Sequence, residues 1–488
     1  MTLPAGLPIP QEDWERTPLS VQAVVKALWE ENQLLKQQVA GLQQQMNTLQ
    51  AEVKKLCERV NKNSQNSSKP PSSDAPQKRS YPKPEPSGRK KGAQPGHAGK
   101  GRKLMPLEQV NRVVISKPVA CTTCGTLLVG EDPQPVRHQV SELPRIEPEV
   151  IEYQLHTLAC CVCGTRNVGE WPVDMPAGSF GERLQATIAY LGGRFGISHR
   201  DIAEALETIF HVEIGLGSIP AQEQVVSQAV EQPVKEAQEY VQAQAVVNLD
   251  ETSWQQWNEN FWLWVCTTPA VTVFRLFQTR GAVGVAKLLG EDYAGIVGSD
   301  RYSAYNWLDP LKRQVCWAHL IRDFQALVER GGESKTIGRL LLIQVKQMFA
   351  WWQRIRDGTL TRADFQSAMQ SIRKEVSALL HIGTFVKQVI TRRTCQNILK
   401  VEQALWTFVD CEGVEPTNNA AERALRRGVI WRRRSFGTQS ENGSRFVERI
   451  LTAVITLRQQ KRDVLDYLTD ACQARTRGSG SPSLLPAG

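Results

Sequence analysis

Apolar residues recur every seven positions near the start of the chain. Leu28, Leu35, Leu42, Leu49 and Leu56 form one series; Val25, Val39, Met46, Val53 and Val60, with Asn32 completing it, form the other. Both seam positions of a heptad are filled, which predicts a coiled coil over residues 21–62. β-Branched residues at a and Leu at d favour two parallel strands, and one Asn at a fixes register. The expectation is a homodimer in which Glu31 of one strand reaches Lys36 of the other; the alternative is an amphipathic helix laid on the chain's own core.

The pattern then stops. Residues 63–106 are polar, Pro/Ser-rich and without periodicity, which reads as a flexible linker. From Lys78 to Lys103 there are nine Lys/Arg against one acid, Glu85. The run, with Lys90 and Lys91 at its centre, is either a tether that grips phosphates or a solubilising spacer.

Two Cys pairs follow, Cys121-Thr-Thr-Cys124-Gly and Cys160-Cys161-Val-Cys163-Gly. Gly after each pair permits a tight turn that aims two sulfurs at one ion, and four thiolates are the tetrahedral set that Zn²⁺ prefers. Alternation around residues 150–158 places the pairs on hairpins of a small zinc-binding β module, residues 107–173, with structural Zn²⁺ on Cys121, Cys124, Cys160 and Cys163. A redox dithiol is the competitor, but no thioredoxin-like pattern surrounds either pair.

Residues 178–240 return to helical periodicity. Leu184, Ile188 and Leu191 mark one face; Ile202, Ala205, Leu206 and Ile209 mark another, across a Gly-containing turn that ends in a candidate N-cap, Ser198. The pair resembles a helix-turn-helix, with Arg200 as a DNA contact near the second helix's start; a plain helical hairpin is the alternative.

From Ala245 short apolar runs replace helices. Residues 245–250, 261–266, 271–277 and 295–300 read as strands, 282–289 as a helix between the third and fourth, and 314–317 as a fifth strand. The order β-β-β-α-β, with Asp250 and Asp300 closing strands one and four, matches an α/β ribonuclease H-like catalytic core over residues 244–475. In such a sheet the first and fourth strands are neighbours, so the two acids converge. A mostly helical insertion occupies about residues 320–415. Within it, Trp351-Trp352 reads as packing in preference to a platform for an unstacked base. Residues 476–488 read as a disordered tail.

Phosphodiester cleavage needs an activated oxygen and a stabilised leaving oxygen, and two Mg²⁺ ions held by carboxylates supply both. Glu422, in Pro416-Thr-Asn-Asn-Ala-Ala-Glu422, is the third acid. Its spacing from Asn419 also fits a capping box. What favours the metal role is the arginine belt that follows, Arg423, Arg426, Arg427, Arg432, Arg433 and Arg434, a surface for DNA phosphates. Glu448 is the reserve candidate. Bulk properties agree with this picture: 488 residues imply several domains, and the formal charge of +9 is concentrated in the two basic stretches. No run of 18 apolar residues occurs and the start lacks a secretory pattern, so the expected location is the cytoplasm, with reduced cysteines and no membrane contact.

The segments that carry these readings also carry a resemblance. Asn63-Ser-Gln-Asn-Ser-Ser-Lys-Pro-Pro-Ser-Ser-Asp74, Gly92-Ala-Gln-Pro-Gly-His97, the two Cys pairs, Leu249-Asp-Glu-Thr252, Asp300-Arg-Tyr-Ser-Ala-Tyr305, Cys316-Trp-Ala-His-Leu-Ile-Arg322 and Asn418-Asn-Ala-Ala-Glu-Arg423 stand in the order found in the large transposase of insertion sequence 66 elements, a DDE transposase family. The resemblance runs from the coiled coil to about residue 470. It implies an acid triad on Asp250, Asp300 and Glu422 with Mg²⁺ or Mn²⁺, a leucine zipper and a zinc module. It also implies binding to terminal inverted repeats and target DNA on a bacterial nucleoid, and two small accessory proteins as partners. The alternatives are a DNA-binding protein of element ends with an inactive core, and a ribonuclease H-like nuclease or resolvase.

Overall fold

The computed structural model describes residues 2–60, 62, 67–69, 103–173, 175–176 and 178–486. Lys90, Lys91 and most of the basic linker lie outside the described residues. The chain divides into two compact units, Ser80–Leu308 with Asn418–Gly488, and Met1–Arg79 with Asp309–Thr417. Among the described residues, no helix is long and apolar enough to cross a membrane.

The first of these units begins with the two Cys turns. The second turn joins β1 (Thr157–Ala159) to β2 (Arg166–Val168), an antiparallel pair. The alternation expected over residues 150–158 therefore becomes a strand only at its end. Four helices follow, Glu182–Tyr190, His199–Phe210, Ser218–Ala229 and Glu231–Gln242. Ser198 caps the second of them as its sequence suggests, its hydroxyl accepting the Asp201 N–H at 3.2 Å.

The sheet of this unit comprises β3 (Val246–Gln256), β4 (Glu259–Thr267), β5 (Thr272–Phe277) and β6 (Ile296–Ser299), in spatial order β5-β4-β3-β6. The first three form an antiparallel meander, and β6 returns parallel to β3 after the helix Ala282–Leu289. Side chains alternate across the sheet. On one face Val247, Leu249, Trp264, Cys266 and Val297 pack with Val285 and Leu288 of the 282–289 helix. On the other, Trp254, Leu263, Val265 and Phe274 pack with Ala421, Ala424 and Leu425 of the helix Asn419–Ser435 and with Val447 and Leu451 of the helix Glu441–Gln459. Gly428 lets the 419–435 helix settle closely: a Cβ there would lie 2.3 Å from Leu263 Cδ2.

The helix Glu441–Gln459 also finishes the free edge of β5. The N–H groups of Leu276, Phe274 and Thr272 donate to Glu448 Oε1 (2.6 Å), Thr452 Oγ1 (3.0 Å) and Thr456 Oγ1 (3.0 Å). Two strand residues advance about 6.7 Å and four helical residues about 6.0 Å, so alternate strand amides and every fourth helix side chain stay in step. An edge that invites another strand is thereby closed.

The final residues also pack in this unit, unlike the disordered tail expected of them. After the helix Val464–Thr476, Leu484 is fully buried, Tyr467 donates its hydroxyl to Pro482 O at 2.6 Å, and Ser481 donates to Ala229 O at 2.7 Å. One leucine in a Ser/Pro-rich stretch supplies the anchor.

In the other unit, the helix Leu19–Val60 carries the heptads. Its seam is exposed in the single chain (Leu28 60%, Leu42 64%, Val60 67%), so it is not laid on the chain's own core. Trp14 of the preceding short helix is buried, and Gln22 Nε2 donates to Trp14 O and Thr17 O. The remainder is β7 (Arg313–Val315) and the helices Trp317–Arg330, Gly332–Arg356, Arg362–Gly383 and Val389–Leu399. Trp352 packs edge-on against Phe408 at 5.5 Å and near Phe365, a structural role in keeping with its sequence reading.

Candidate active site

Asp250 lies in the middle of β3, not at its end, because alternation continues to Gln256 and pairs with β4 from Glu259 onward. Its cross-strand neighbour is Val265, which places the carboxylate on the face covered by the 419–435 helix. β3 and β6 pair in parallel at Val246↔Ile296, Val247↔Val297 and Asn248↔Gly298. Carried two residues further, that register sets Asp250 beside Asp300, which follows the last residue of β6. The pairing thus leads the two acids toward each other, and Asp300 adds to the upward push on Asp250. Asp300 Oδ1 accepts the Tyr302 N–H at 2.8 Å, a local turn that holds the loop.

Glu422 stands in the first turn of the 419–435 helix. The cap residue is Asn418, so Glu422 sits one position past that of a capping box. Buried Asn418 donates its side-chain amide to Leu249 O at 2.5 Å, tying the helix start to the residue before Asp250. Asp300 and Glu422, from two distant segments, thus lie near enough to Asp250 to act on its charge.

Asp250 is pushed well above the usual carboxylate range, first by burial and then by Glu251, with Asp300 and Glu422 adding to the push and the Glu251 N–H opposing it. Among the described residues, no group of three or more His, Cys, Asp or Glu is gathered tightly enough to hold a metal ion. The acids are within electrostatic reach of one another without forming a closed cage. Carboxylate oxygen is the donor that Mg²⁺ and Mn²⁺ favour, so the set fits such an ion in kind, and a cation is what relieves its mutual repulsion.

The arginine belt divides into two kinds. Arg423 and Arg426 are exposed. Arg432 instead donates to Thr252 Oγ1 (2.9 Å) and Ser253 O (2.6 Å) of β3, and Arg434 donates to Phe195 O (3.0 Å) and Gly196 O (3.2 Å). These two brace the helix against the strand that carries Asp250 and against the turn before Ser198. Arg200 is exposed at the start of the 199–210 helix. Glu448, the reserve acid, is buried at the β5 edge and paired with Arg445 (3.1 Å) and Arg275 (3.6 Å).

Each Cys pair is preformed by the same turn. Cys121 N–H donates to Thr126 O and Gly125 N–H to Cys121 O; Cys160 N–H donates to Thr165 O and Gly164 N–H to Cys160 O, with matching distances of 2.8 and 2.9 Å. Gly125 and Gly164 take φ of +73° and +75°, which explains glycine at both positions. Cys121 is lowered to about 7 by hydrogen bonds from the Cys124 and Thr123 backbone, and Cys163 to about 7 by those of Thr165. Thiols poised for ionisation suit Zn²⁺ in kind. The four sulfurs are not gathered into one set in this structure.

Sequence reading passed over Glu251. It is buried on the opposite face from Asp250 and accepts from Tyr305 Oη (2.7 Å) and Arg280 Nε (3.0 Å). The Asp-Glu dyad was visible, but only the fold reveals that Tyr305, in the segment after Asp300, returns to it.

Comparison with known proteins identifies two families. The family described as Transposase IS66 family matches residues 177–445, and a family of unknown function matches residues 11–103. Two uncharacterised proteins of Sinorhizobium fredii are similar. The protein y4qI is 26% identical over 246 residues, 44% of this chain and 44% of its own length. The protein y4hP is 25% identical over 397 residues, 74% of this chain and 71% of its own length. The chain thus spans under half of the first relative and just over two thirds of the second.

Proposed function

The chain belongs to the transposase IS66 family, and on that premise we propose that it is a DNA transposase. In this reading it binds the terminal inverted repeats of an insertion sequence, cuts the DNA at their ends and joins the freed ends to target DNA. The unit carrying β3–β6 is read as a ribonuclease H-like core in which Asp250, Asp300 and Glu422 hold Mg²⁺ or Mn²⁺. When bound, such ions activate water for attack on the scissile phosphodiester and stabilise the departing oxygen. Water, and then the freed 3′-hydroxyl, is the nucleophile, so no covalent protein intermediate is required.

The chain's own residues hold the carboxylates on one sheet face and supply positive charge nearby. Arg423, Arg426 and Arg427 follow Glu422 directly and suit phosphate contact, with Arg433, Lys90, Lys91 and Arg200 as further contacts. Arg432 and Arg434 keep the helix seated, and any DNA contact by them is additional. The single observation that best supports the reading is the nearness of Asp300 and Glu422 to half-buried Asp250, an arrangement costly to the fold and suited to metal chemistry. The test is end cleavage measured beside gel-shift binding for Asp250→Asn, Asp300→Asn and Glu422→Gln. Each is expected to lose cleavage by orders of magnitude and keep end binding. Normal cleavage by Glu422→Gln overturns the role of that residue.

Two further parts belong to the proposal. Cys121, Cys124, Cys160 and Cys163 bind one structural Zn²⁺, and the two knuckles come together on it. Elemental analysis should find about one zinc per chain, and zinc retained by Cys121→Ser/Cys160→Ser would refute the site. The exposed heptad seam pairs with a second copy as a parallel dimer. Polar residues at Leu35 and Leu42 should then give monomers in sedimentation, and an unchanged mass refutes the zipper contact. Small accessory proteins of the same element remain proposed partners.

A further inference from the structure

We propose that Glu251 is a positioning residue for the reaction, fixing the loop that carries Asp300 against the strand that carries Asp250; this rests on the metal-site reading above. The geometry closes a ring. Asp250 and Glu251 are adjacent on β3 and point to opposite faces. From Glu251, one link runs to the Tyr305 hydroxyl at 2.7 Å and another to Arg280 Nε at 3.0 Å. Arg280 lies over the Tyr302 ring at 3.7 Å and the Trp262 ring at 4.6 Å. The Tyr302 N–H then donates to Asp300 Oδ1 at 2.8 Å. The 300–305 segment is therefore held at two points by one carboxylate, and the second point leads directly to Asp300. Tyr305 is itself fully buried and edge-on to Trp264 at 6.2 Å, so its hydroxyl has little freedom to turn elsewhere.

β-Sheet pairing alone does not set this geometry. The β3–β6 pairing ends at Asn248↔Gly298, two residues short of the acids. Beyond that point the separation of Asp250 and Asp300 depends on what fastens the loop. A buried carboxylate is an expensive fastener compared with an apolar side chain, and the best-attested reason to retain such groups is specification of one arrangement. Arg280 and Tyr305 also come from segments on either side of β6, so one acid sets the position of the strand's exit.

The test uses the full-length chain and Mn²⁺ as the probe. Tyr305→Phe removes one hydroxyl and keeps the ring; Glu251→Gln keeps the shape and removes the charge. Both should raise the Mn²⁺ concentration for half-occupancy, followed by electron paramagnetic resonance, by about tenfold, the loss usual when the support of a metal ligand is removed. The half-saturating Mn²⁺ for end cleavage should shift in parallel, excess Mn²⁺ should restore most of the rate, and gel-shift binding should stay unchanged. A merely structural Glu251 would lower the melting temperature without moving metal dependence. If Glu251→Gln does not fold, Tyr305→Phe decides alone. If Asp250→Asn is inactive and Tyr305→Phe keeps wild-type Mn²⁺ dependence, the acid triad stands and the positioning role is overturned. If Asp250→Asn cleaves normally, the triad reading itself is overturned, and the role of Glu251 with it.

Discussion

Two acids packed at the same sheet, Glu448 from a helix and Asp250 from a strand, live under opposite conditions. Glu448, at the β5 edge, is surrounded by partners: Arg445 and Arg275 flank it, and the Leu276 N–H donates to it. Around Asp250, on β3, loss of solvent contact is the main cost of ionising it, and the charges of Glu251, Asp300 and Glu422 add to that cost. The first acid is compensated by the fold and holds an edge closed. The second is disfavoured as a charge by its burial and its acidic neighbours, with the Glu251 N–H opposing them. On the proposed reading a bound cation supplies the compensation, which is how a site for chemistry differs from a strut.

The largest expected separation between the two is in rate. On the proposed reading Asp250→Asn removes a ligand of a metal that would lower the barrier by several kcal/mol, so end cleavage should fall by orders of magnitude. Glu448→Gln, which retains an acceptor for the Leu276 N–H, should cleave at a rate near wild type wherever it is folded. Equal losses in the two variants, measured at a temperature where both are folded, would break the comparison.

Stability should sort them the other way. Glu448→Ala leaves Arg275 and the strand amide without their partner, and breaking a buried pair costs about 3–5 kcal/mol. Asp250→Asn removes charge repulsion among half-buried acids and should stabilise the metal-free protein at neutral pH. Denaturant melts in the presence of a chelator read both. A destabilised Asp250→Asn would mean that its carboxylate is compensated after all.

The contrast also explains what the sequence disclosed. Asp250 and Asp300 were legible because apolar runs lead into them, and the parallel pairing of β3 with β6 follows from the strand order. The Cys turns were legible because each is made by six consecutive residues that need nothing else. Glu422 was found through its arginines, while its spacing from Asn419 pointed to a cap; the cap proves to be Asn418, whose amide is spent on Leu249 O. Glu251 was not found, since a dyad within a strand says nothing of a tyrosine 54 residues away. Nor was the series Glu448, Thr452, Thr456. Its four-residue spacing is plain, but only the docked β5 edge gives those polar groups a purpose. Arg432 and Arg434 read as phosphate contacts because the sequence shows charge without the backbone carbonyls that accept from it. The tail after Thr476 read as disordered because one buried leucine carries no periodicity.

Glu223 is an intermediate case and gives the smallest effect. It is buried, and its partner is His199, whose Nε2 lies 3.0 Å from Glu223 Oε2. The hydrogen bond to Glu223 raises the His199 pKa above its ordinary value, with burial opposing and the charge of Glu223 assisting. The compensating cation is therefore present only when His199 is protonated. A histidine whose folded pKa lies above its unfolded value of about 6.5 binds more protons folded than unfolded. Its contribution to stability is complete below that unfolded value and is lost as pH rises through the folded one. Melts of wild type and Glu223→Gln should differ most below about pH 6 and converge as the solution becomes alkaline. The difference should be modest, because His199 is partly open to solvent and its ion pair is screened. The same residue bears on the helix-turn-helix reading. His199 opens the helix whose first turn carries Arg200, so losing the contact should loosen that helix against the helix Ser218–Ala229. A gap between the two melting profiles that is constant across pH would show that Glu223 acts as a neutral hydrogen-bond acceptor. It would then belong with struts such as Thr452 and outside the series that runs from Glu448 to Asp250.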